Sequence, residues 1–508
     1  MNPSVRLKDL VRQLPSAVVE GSLDREVTGL AYDSRRVTPG MVFFAVPGLT
    51  EDGHDYVAVA IERGAVAIVC ERNGFVPHRA VKIKVPDCRE AMARMAAAFH
   101  GNPSQQLKVI GVTGTAGKTC VVFMLKAILE AAGLATGVLS TIRHEVGDRV
   151  IPAQRTTPEA IEIQQMLAAM VRAGCQACVM EVSSHGLEQQ RVAGVEFDLA
   201  VFTNLGADHL DHHGSMEAYF QAKKRLFSGV QNGTKRGGSI LNIDDPHGQR
   251  LMQETSAEVR MTYGLGDGAS LRATCIQLGS GGSRMTVEGP GAHFECRLPL
   301  IGRYNIYNAL AAAGAALVLK LPVSAIRRGL ITLPPIPGRL EQVQMGQPFR
   351  VFVDYAHTEE SLRQTLRILR EITPGRLLAC FGCGGTRDTA KRPLMGRAAA
   401  ELADLTLITS DNPRHEQPAE IAAAIAAGYQ AGRSEGCRLE LDRARAIDEI
   451  VREAVTGDTV LIAGKGHETY QELGSTVIPF DDREEVRATL EALGYGVRRG
   501  GRLAALAF

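Results

Sequence analysis

The chain has 508 residues with 57 basic and 56 acidic side chains, and its formal net charge at pH 7 is +1. This balance gives no electrostatic reason to expect nucleic acid or a membrane surface as a partner. The length predicts roughly three domains of about 150 residues each. The N-terminus shows no apolar core of signal-peptide length, and the longest apolar run, Ala309 to Leu319, is too short to span a bilayer. We therefore expect a cytoplasmic protein, and a monomer.

Ten cysteines in a chain of this length do not indicate a disulfide framework. Two Cys-x-x-Cys pairs, Cys175/Cys178 and Cys380/Cys383, have the spacing of a zinc or redox site, which is one alternative for them. Each pair runs into an apolar strand, however, and no further Cys or His lies nearby at ligand spacing. Buried thiols are the expected outcome.

Residues 1–102 are predicted to form a separable N-terminal α/β domain. A strand is expected from Gly64 to Cys70, after a helix, and a second helix is expected from Arg89 to His100. The cluster Gly101–Pro103 is typical of a linker.

The segment Leu107–Leu125, LKVIGVTGTAGKTCVVFML, gives the most specific signal in the chain. An apolar strand, Val109–Val112, leads into a loop of small residues, and Lys118 and Thr119 then open an apolar helix. A strand, a glycine loop and a helix N-terminus together make an anion cradle. Lys118 is expected to reach the β- and γ-phosphates, and the Thr119 hydroxyl to bind Mg²⁺. The first glycine of the usual pattern is replaced by Val112, so this is a variant phosphate loop.

From residue 103 to 334, strands alternate with helices, which predicts a parallel sheet covered on both faces. Three short alternating segments between Leu271 and Leu298 predict an antiparallel excursion, and a helix is expected from Asn305 to Leu319. The other expected strands are Thr136–Ser140, Ala177–Val182, Leu199–Thr203 and Ser239–Ile243.

The proline-rich segment Leu333–Gly338 predicts a joint, and residues 335–508 are predicted to form a Rossmann-like α/β domain that lacks a Gly-x-Gly-x-x-Gly motif. The tail around Arg498–Arg502 is expected to be frayed. The expected strands are Arg350–Asp354, Arg376–Phe381, Leu405–Thr409 and Thr459–Ile462.

Polar residues follow two strands of the central domain. Glu181 ends one strand beside the phosphate loop, where a parallel sheet places a Mg²⁺ ligand. The next strand leads into residues 208–213, which contain three histidines and two aspartates. Because Mg²⁺ prefers oxygen, His209 would have to be a nitrogen ligand in a mixed shell or act through water. Lys223 lies on the helix that follows, in a basic run that by itself indicates a solvated helix face.

Taken together, these segments resemble the Mur ligases, which are ATP-dependent amide-forming enzymes of peptidoglycan precursor synthesis. The resemblance covers nearly the whole chain, with the motifs in the family's order. It implies an α/β fold of three domains: a UDP-sugar-binding N-terminal domain, a central phosphate-loop ATPase domain and a C-terminal Rossmann-like domain that binds the amino acid. The motifs are Gly114-Thr-x-Gly-Lys-Thr, Glu181-Val-Ser-Ser-His, Thr203-Asn-Leu-x-x-Asp-His209-Leu-Asp, Tyr219-x-x-Ala-Lys223, Asn242-x-Asp-Asp245, Gly302-x-Tyr-Asn305-x-x-Asn308, Gly338-Arg339-x-Glu341 and Val353-Asp354-Tyr-Ala-His357.

The resemblance implies Lys118, Glu181, His209 and Lys223 as catalytic residues. It also implies Mg²⁺ ligation by Thr119, Glu181, His209 and Lys223, the last as a carbamate. A carbamate turns a cation into a two-oxygen anion, which suits Mg²⁺ but requires a partly desolvated lysine. The implied ATP-binding residues are Gly114, Thr115, Ala116, Gly117, Lys118, Thr119, Asn242, Asp245, Asn305, Asn308, Arg339 and Asp354.

Within the family, the stretch Thr409–Arg414 indicates a member that adds meso-2,6-diaminopimelate to UDP-N-acetylmuramoyl-L-alanyl-D-glutamate. Diaminopimelate carries a second amino acid head, so its recognition needs a forked cation for the distal carboxylate and an anion for the distal ammonium. Arg387 and Arg414 can supply the cation, and Glu468 the anion. The implied diaminopimelate-binding residues are Arg387, Asp411, Asn412, Pro413, Arg414, Gly464 and Glu468; those for the UDP-sugar and peptide are Tyr32, Ser34, Arg35, Arg155, Thr156, Thr157, Ser183, Gln189 and Arg191.

Ala116, Arg155 and Thr386 depart from the residues common in the family, although none of them removes a charge that the chemistry needs. Three alternatives stay open at this point. A sister ligase that adds lysine would be expected to lack Arg414, and a folylpolyglutamate synthase would not need a UDP-type first domain. A non-catalytic nucleotide-binding scaffold would need the phosphate loop but not Glu181, His209 and Lys223.

Overall fold

The computed structural model describes residues 5–48, 51–73, 79–230 and 234–496. The chain divides into two compact α/β units. The first takes in residues 1–276, 284–297 and 304–333, and the second residues 277–283, 298–303 and 334–508. The change at 333/334 falls in the proline-rich segment, whereas Gly101–Pro103 lies inside the first unit. The domain limits at 102/103 and 334/335 stay predictions, and the tail at 498–502 lies outside the described residues.

A five-stranded sheet occupies the N-terminal part of the first unit. Four strands are parallel, and the edge strand Val18–Glu20 pairs with its neighbour in antiparallel fashion. Apolar side chains of the strands, such as Phe44 and Val69, pack against the helix Cys88–Phe99. Across the sheet the strands are Val18–Glu20, Val81–Lys84, Ala67–Cys70, Met41–Phe44 and Gly29–Ala31; the strands Val5–Arg6 and Glu26–Val27 form a separate pair; the other helices are Leu7–Val11 and Val57–Glu62, with 3-10 turns at Ser34–Arg36, Gly53–Tyr56 and Pro103–Gln106.

The rest of the first unit is built on an eleven-stranded sheet whose middle is parallel, which confirms the expected α/β class. The five central strands, from Thr136–Leu139 to Gly238–Asn242, are almost entirely buried, as strands covered on both faces must be. Across the sheet they are Arg149–Pro152, Arg143–Val146, Thr136–Leu139, Ala177–Glu181, Lys108–Thr113, Leu199–Phe202, Gly238–Asn242, Val259–Gly264, Leu271–Gly279, Gly282–Gly289 and Ala292–Leu298; the helices are Lys118–Ala131, Ala160–Arg172, Ser184–Glu188, Leu210–His213, Met216–Gly229, Pro246–Glu254, Arg303–Val318 and Val323–Ile331.

The segments between Leu271 and Leu298 correct one prediction. They do not leave the central sheet but continue it, because Tyr263 and Gly264 pair in parallel with Leu271 and Arg272. Of these three segments, only Gly282–Gly289 and Ala292–Leu298 follow two-residue connections, which require antiparallel neighbours. At the opposite edge an antiparallel hairpin of Arg143–Val146 and Arg149–Pro152 also extends the sheet. It was not predicted from the sequence.

The second unit holds a six-stranded sheet with five parallel strands and one antiparallel edge strand, Glu341–Val343. The four strands predicted here are present to within one residue at either end. In spatial order the strands are Glu341–Val343, Arg350–Asp354, Thr459–Ala463, Leu377–Phe381, Leu405–Ile408 and Cys437–Leu439; a hairpin joins Tyr470–Leu473 and Thr476–Pro479; the helices are Glu359–Ile372, Lys391–Leu402, Pro418–Gln430, Arg443–Glu453 and Asp482–Ala492.

Two expectations about composition can be checked on the fold. Cys175, Cys178, Cys380 and Cys383 are buried free thiols, as expected. Within the part of the chain that the structure describes, no helix is both long enough and apolar enough to cross a bilayer.

Candidate active site

The phosphate loop joins the strand Lys108–Thr113 to the helix Lys118–Ala131. Gly114 and Gly117 have φ values of +148° and +88°, which L side chains rarely adopt. A Cβ atom on Gly114 would lie 1.9 Å from Thr203 Oγ1. The tight turn therefore requires glycine here for two reasons, the backbone angle and the close approach of Thr203.

Thr203 and Asn204, at the end of the neighbouring strand, fix the shape of the loop. Thr203 Oγ1 donates to the Ala116 carbonyl at 2.7 Å. The Asn204 backbone carbonyl accepts from Thr115 N–H, and its side-chain Oδ1 accepts from Ala116 N–H, both at 2.9 Å. The sequence placed these two residues in a motif but gave them no role. Their position just past the carboxyl end of an adjacent strand is the signal that could have identified them.

Two lysines meet at one carbonyl of the loop. Lys118 Nζ donates to the carbonyls of Gly114 and Thr115 at 2.9 Å, and Lys223 Nζ donates to Gly114 O at 2.8 Å. Lys223 is 1% exposed and lies over the Tyr219 ring. Burial, and next to it the charge of Lys118, hold the pKa of Lys223 well below its ordinary value. The burial and the lowered pKa of Lys223 therefore fit the desolvated amine that carbamate formation requires.

Glu181 is the centre of a hydrogen-bond network at the edge of the sheet. Its Oε1 accepts from Thr119 Oγ1 and from Thr141 N–H, each at 2.9 Å, and its Oε2 accepts from Thr141 Oγ1 at 3.1 Å. A buried carboxylate beside a hydroxyl fits the oxygen preference of Mg²⁺. Thr141 was missed, although it follows the strand Thr136–Leu139 at the same edge of the sheet.

His209 lies on the outer side of this region. Its backbone is left-handed with φ +53°, its side chain is 47% exposed, and its Nε2 is 3.5 Å from Asp208 Oδ2. Its ring contacts His185, at 4.9 Å between centroids. Burial of part of the ring lowers the pKa of His209, and burial lowers the pKa of His185 to about 4. The role of His209 as a metal ligand stays a prediction.

The remaining ATP-binding candidates of the first unit brace the loop. Asn242 Nδ2 donates to Thr203 O at 2.8 Å, and Asp245 Oδ2 accepts from Leu205 N–H at 2.9 Å. A Cβ atom on Gly117 would lie 2.4 Å from Asn308 Oδ1, and Asn308 Nδ2 donates to Asn305 Oδ1 at 3.1 Å. Asn242 and Asp245 thus hold the segment Thr203–Leu205 that packs on the phosphate loop, and Asn308 lies directly against Gly117.

The candidates for the sugar and peptide form a second cluster in the first unit. Buried Thr157 donates from its hydroxyl to Glu181 O and to Ser183 Oγ, at 2.9 and 3.2 Å. Arg191 donates to Thr157 O at 2.8 Å and to Gln189 Oε1 at 2.7 Å. Through Thr157, this cluster is continuous with the strand that carries Glu181.

Three further contacts complete the candidate sugar and peptide region. The Thr156 hydroxyl accepts from Thr141 Oγ1 at 3.1 Å. Glu159, which the sequence analysis missed, is ion-paired with both Arg155 and Arg191. Tyr32 donates to Glu162 Oε1 at 2.8 Å, while Arg35, exposed beside buried Ser34, pairs with Asp33.

In the second unit, Asn412, Lys465 and Glu468 form a buried polar group. Asn412 Nδ2 donates to Glu468 Oε2 at 2.9 Å, while Lys465 Nζ donates to Asn412 Oδ1 and to the same Glu468 oxygen, at 3.0 and 3.1 Å. Burial raises the pKa of Glu468. Lys465, which is fully buried, follows the predicted residue Gly464 directly but was not predicted from the sequence.

Arg414 lies beside this group on a left-handed residue with φ +52°. Its Nε forms an ion pair with Glu472 at 2.6 Å, and its Nη1 donates to Gly385 O at 2.9 Å. Asp411 accepts from Gln471 through its backbone carbonyl and closely approaches Gly464, where φ is +111°. The loop that starts after Phe381 is packed against the backbone of Pro413. The segment Asp411–Arg414 is therefore held rigidly.

Three other predicted residues of the second unit, Arg387, Asp354 and Arg339, have surroundings that differ from those of Arg414. Arg387 is exposed, as is Thr386. Asp354 is buried, and its two oxygens accept from the N–H groups of Leu340 and Ala356 at 2.7 and 2.9 Å. Burial raises the pKa of Asp354. Arg339 lies over the Tyr355 ring at 4.7 Å. In this structure Asp354 holds the backbone near Arg339, and direct contact of either residue with a nucleotide stays a prediction.

A glycine loop between a parallel strand and a helix, with a lysine, a hydroxyl and a buried carboxylate beside it, defines the class of phosphate-loop nucleotide-binding proteins. Three family models match the chain: the Mur ligase family catalytic domain over residues 26–100, the Mur ligase middle domain over 112–316, and the Mur ligase glutamate ligase domain over 338–466.

Comparison with whole proteins indicates the same family. The UDP-N-acetylmuramoyl-L-alanyl-D-glutamate–2,6-diaminopimelate ligase of Geobacter metallireducens is 43% identical over 96% of this chain and 99% of that protein. The protein of the same name from Solibacter usitatus is 44% identical over 95% of this chain and 97% of its own length. A solved structure of a ligase of that name has a TM-score of 0.71 and 31% identity, and the match covers 97% of this chain and 100% of that one.

The chain belongs to the Mur ligase family. Mur ligases are ATP-dependent ligases, and this protein is accordingly an enzyme of the ligase class.

Proposed function

We propose that the protein joins meso-2,6-diaminopimelate to UDP-N-acetylmuramoyl-L-alanyl-D-glutamate, with ATP converted to ADP and phosphate. The observation that carries this proposal is the match over nearly the full length of both chains to ligases of that name. The held segment Asp411–Arg414, with Glu468 beside it, provides the cation and the anion that the two charges of a distal amino acid head require.

In the proposed reaction, ATP phosphorylates the free carboxylate of the D-glutamyl residue to give an acyl phosphate. The amine of diaminopimelate attacks this carbonyl, and the tetrahedral intermediate expels phosphate. Negative charge concentrates on the phosphoryl oxygens during transfer, so positioning and electrostatic stabilisation supply most of the catalysis. Lys118 holds the β- and γ-phosphates, and the glycine loop gives their oxygens close approach to the backbone.

Mg²⁺ fits the hydroxyl and carboxylate oxygens of Thr119 and Glu181, with His209 as a further candidate ligand. When bound, the ion would neutralise phosphate charge. Thr141 keeps the Glu181 carboxylate oriented toward the loop. Lys223, as a carbamate, would add a second pair of oxygens near Gly114, and the position of its Nζ at the loop carbonyl supports that role.

We further propose that the protein acts in the cytoplasm as a monomer on small-molecule substrates only. We assign UDP-sugar binding to residues 1–102, ATP binding to residues 103–334 and amino acid binding to residues 335–508. A lysine-adding sister ligase is the second candidate. Arg414 favours diaminopimelate, because lysine has no distal carboxylate to pair with it.

The phosphate-loop role is tested by Lys118→Ala. Phosphate release that depends on both the UDP-linked dipeptide and diaminopimelate should fall by about 100-fold or more, because a charge that stabilises the transferring phosphoryl group is lost. Lys126→Ala, on the same helix and paired with Glu130 and Glu145, is the control and should keep near-normal activity. Near-normal ligation by Lys118→Ala, or phosphate release without the amino acid, would contradict the proposal.

The specificity is tested by Arg414→Ala. The preference for diaminopimelate over lysine, measured as a ratio of kcat/KM values, should fall by about 10- to 100-fold, because charge-assisted hydrogen bonds of about 1.5–3 kcal/mol are lost. Arg452→Ala removes an exposed arginine paired with Asp448 and serves as the control. An unchanged ratio in Arg414→Ala would refute the specificity assignment.

A further inference from the structure

A cluster of side chains outside the proposed nucleotide site has the composition of a transition-metal site. Glu188 ends the short helix Ser184–Glu188, and His212 and His213 end the helix Leu210–His213. One ligand atom from each residue lies within 4.8 Å of the other two. Glu188 Oε2 is 2.7 Å from His212 Nε2 and 3.3 Å from His213 Nδ1.

The 3.3 Å separation of Glu188 Oε2 and His213 Nδ1 suits a tetrahedral ion, whereas Glu188 Oε2 and His212 Nε2 lie at a hydrogen-bond distance of 2.7 Å and would have to separate by about 0.6 Å. Bonds of about 2.0–2.1 Å to nitrogen and oxygen place the ligand atoms about 3.3 Å apart. Two imidazoles and one carboxylate form a three-residue set that leaves a fourth position for water. The side chains of Glu188 and His212 are 43% and 23% exposed, so an ion has a path to the cluster from solvent.

The orientation of His213 is a second and independent observation. Its ring nitrogen away from Glu188, Nε2, is 2.9 Å from Ser184 Oγ, and its ring stacks on Tyr219. In the tautomer whose Nε2–H donates to Ser184 Oγ, the Nδ1 lone pair is available to a metal ion beside Glu188. Metal-binding histidines characteristically use their other ring nitrogen in such a hydrogen bond, which fixes both the tautomer and the ring. The His213 side chain is 1% exposed, so this arrangement is held by packing.

We propose that Glu188, His212 and His213 bind one Zn²⁺ or a similar first-row transition-metal ion, separately from the Mg²⁺ assigned to Thr119 and Glu181. Nitrogen ligands favour Zn²⁺, whereas Mg²⁺ prefers oxygen and retains water. The ion would link the helix Ser184–Glu188 to the helix Leu210–His213. It would thereby restrain the segment that carries His209.

The test is titration of the chelator-treated full-length protein with ZnCl₂ by isothermal calorimetry, in the presence of millimolar MgCl₂ and without nucleotide. We expect one Zn²⁺ per chain, a raised melting temperature, and an affinity at least about tenfold lower in His212→Asn and in Glu188→Gln. Both side chains are partly exposed, and the melting temperature of each metal-free variant shows whether it folds normally.

His54→Asn is the matched control, because His54 contacts Asp52 at 2.6 Å in a similar histidine–carboxylate pair, in which no second histidine of the described residues takes part. Its Zn²⁺ affinity and stoichiometry should equal those of the wild type. Absence of Zn²⁺ binding, displacement of Zn²⁺ by millimolar Mg²⁺, or equal affinity in His212→Asn and the wild type would overturn the proposal. The measurement does not depend on ligase activity.

Discussion

At the scale of single residues, Lys223 shows how a side chain suited to chemistry can cost stability. Its ammonium would be buried beside Lys118 at the Gly114 carbonyl, and both burial and that neighbouring charge lower the pKa of Lys223. In the unfolded chain the same lysine titrates near 10.4. Between the folded-state pKa and this value, the unfolded state therefore binds more protons than the folded state. Folding stability rises with pH between the folded-state pKa and the unfolded one.

Lys223→Met should consequently raise the melting temperature at pH 7 while it abolishes ligation. The Gly114 carbonyl keeps a hydrogen bond from Lys118, so the substitution leaves no unpaired acceptor. The gain over the wild type should shrink as the pH rises from the folded-state pKa toward about 10.4, because removing the proton from Lys223 on folding becomes less costly. Thermal melts at several pH values and a phosphate-release assay measure both effects.

Lys224→Met is the control for Lys223→Met, since Lys224 is adjacent in sequence and pairs with Glu254 near the surface. It should change neither activity nor the pH dependence of stability. A lower melting temperature for Lys223→Met at pH 7 would show that the buried amine does not destabilise the fold. Retained ligation would remove Lys223 from the proposed mechanism.

At the scale of secondary-structure elements, the phosphate loop depends on glycine at a position where both angle and space are restricted. In Gly114→Ala the residue would have to keep φ near +148°, and its new Cβ atom would lie 1.9 Å from Thr203 Oγ1. We expect a loss of about 1–3 kcal/mol in the free energy of unfolding and a marked loss of nucleotide affinity, because Thr203 must move and release the loop. Urea denaturation and nucleotide titration measure the two quantities.

Gly133→Ala is the control that separates backbone strain from steric crowding by a new Cβ atom. Gly133 follows the helix Lys118–Ala131 with φ +85°, and nothing lies within 4 Å of an added Cβ. It should cost only about 1 kcal/mol and leave nucleotide affinity unchanged. If both alanine variants bind nucleotide like the wild type, the close packing of Thr203 against the loop has no part in binding.

The strands of the parallel sheets were predictable because they are continuous apolar runs between turn residues, as Ala177–Glu181 and Leu377–Phe381 show. The hairpin Arg143–Val146 with Arg149–Pro152 was not, since short charged segments at a sheet edge have no distinct pattern. The continuation of the central sheet through Leu271 was also missed. Its pairing with Tyr263 is a long-range choice that local periodicity does not encode.

At the scale of the whole molecule, the second unit contains a fully buried ion pair. Arg443 and Asp482 are both 0% exposed, with Nε and Oδ1 at 2.7 Å. Arg443 also donates to Ser410 O and Ala463 O, which follow or end two strands of the six-stranded sheet. Burial opposes the charge of Arg443, but the attraction and hydrogen bonds of Asp482 outweigh it and raise the pKa of Arg443.

Asp482→Asn should lower the free energy of unfolding of the second unit by about 3–5 kcal/mol, because an unpaired charge is left buried. The double variant Arg443→Met with Asp482→Leu should recover part of this loss, since no charge is left buried, although the carbonyls of Ser410 and Ala463 lose the Arg443 donor. Hydrogen exchange of the strand Thr459–Ala463 reports on this unit. Unchanged protection in Asp482→Asn would show that the pair contributes nothing to stability.

The sequence by itself determined the α/β class, the phosphate loop and the family, because these depend on local apolar runs, glycine positions and ordered motifs. It also named Lys118, Glu181 and Arg414, whose chemistry follows from their residue types. The tertiary structure decided which side chains meet: Thr141 on Glu181, Lys465 on Glu468, and His213 on Glu188. The first pair joins residues 40 positions apart and the last joins two separate helices, whereas Lys465 and Glu468 are three positions apart. Such contacts are set by how strands and helices pack, and local sequence patterns carry no record of that packing.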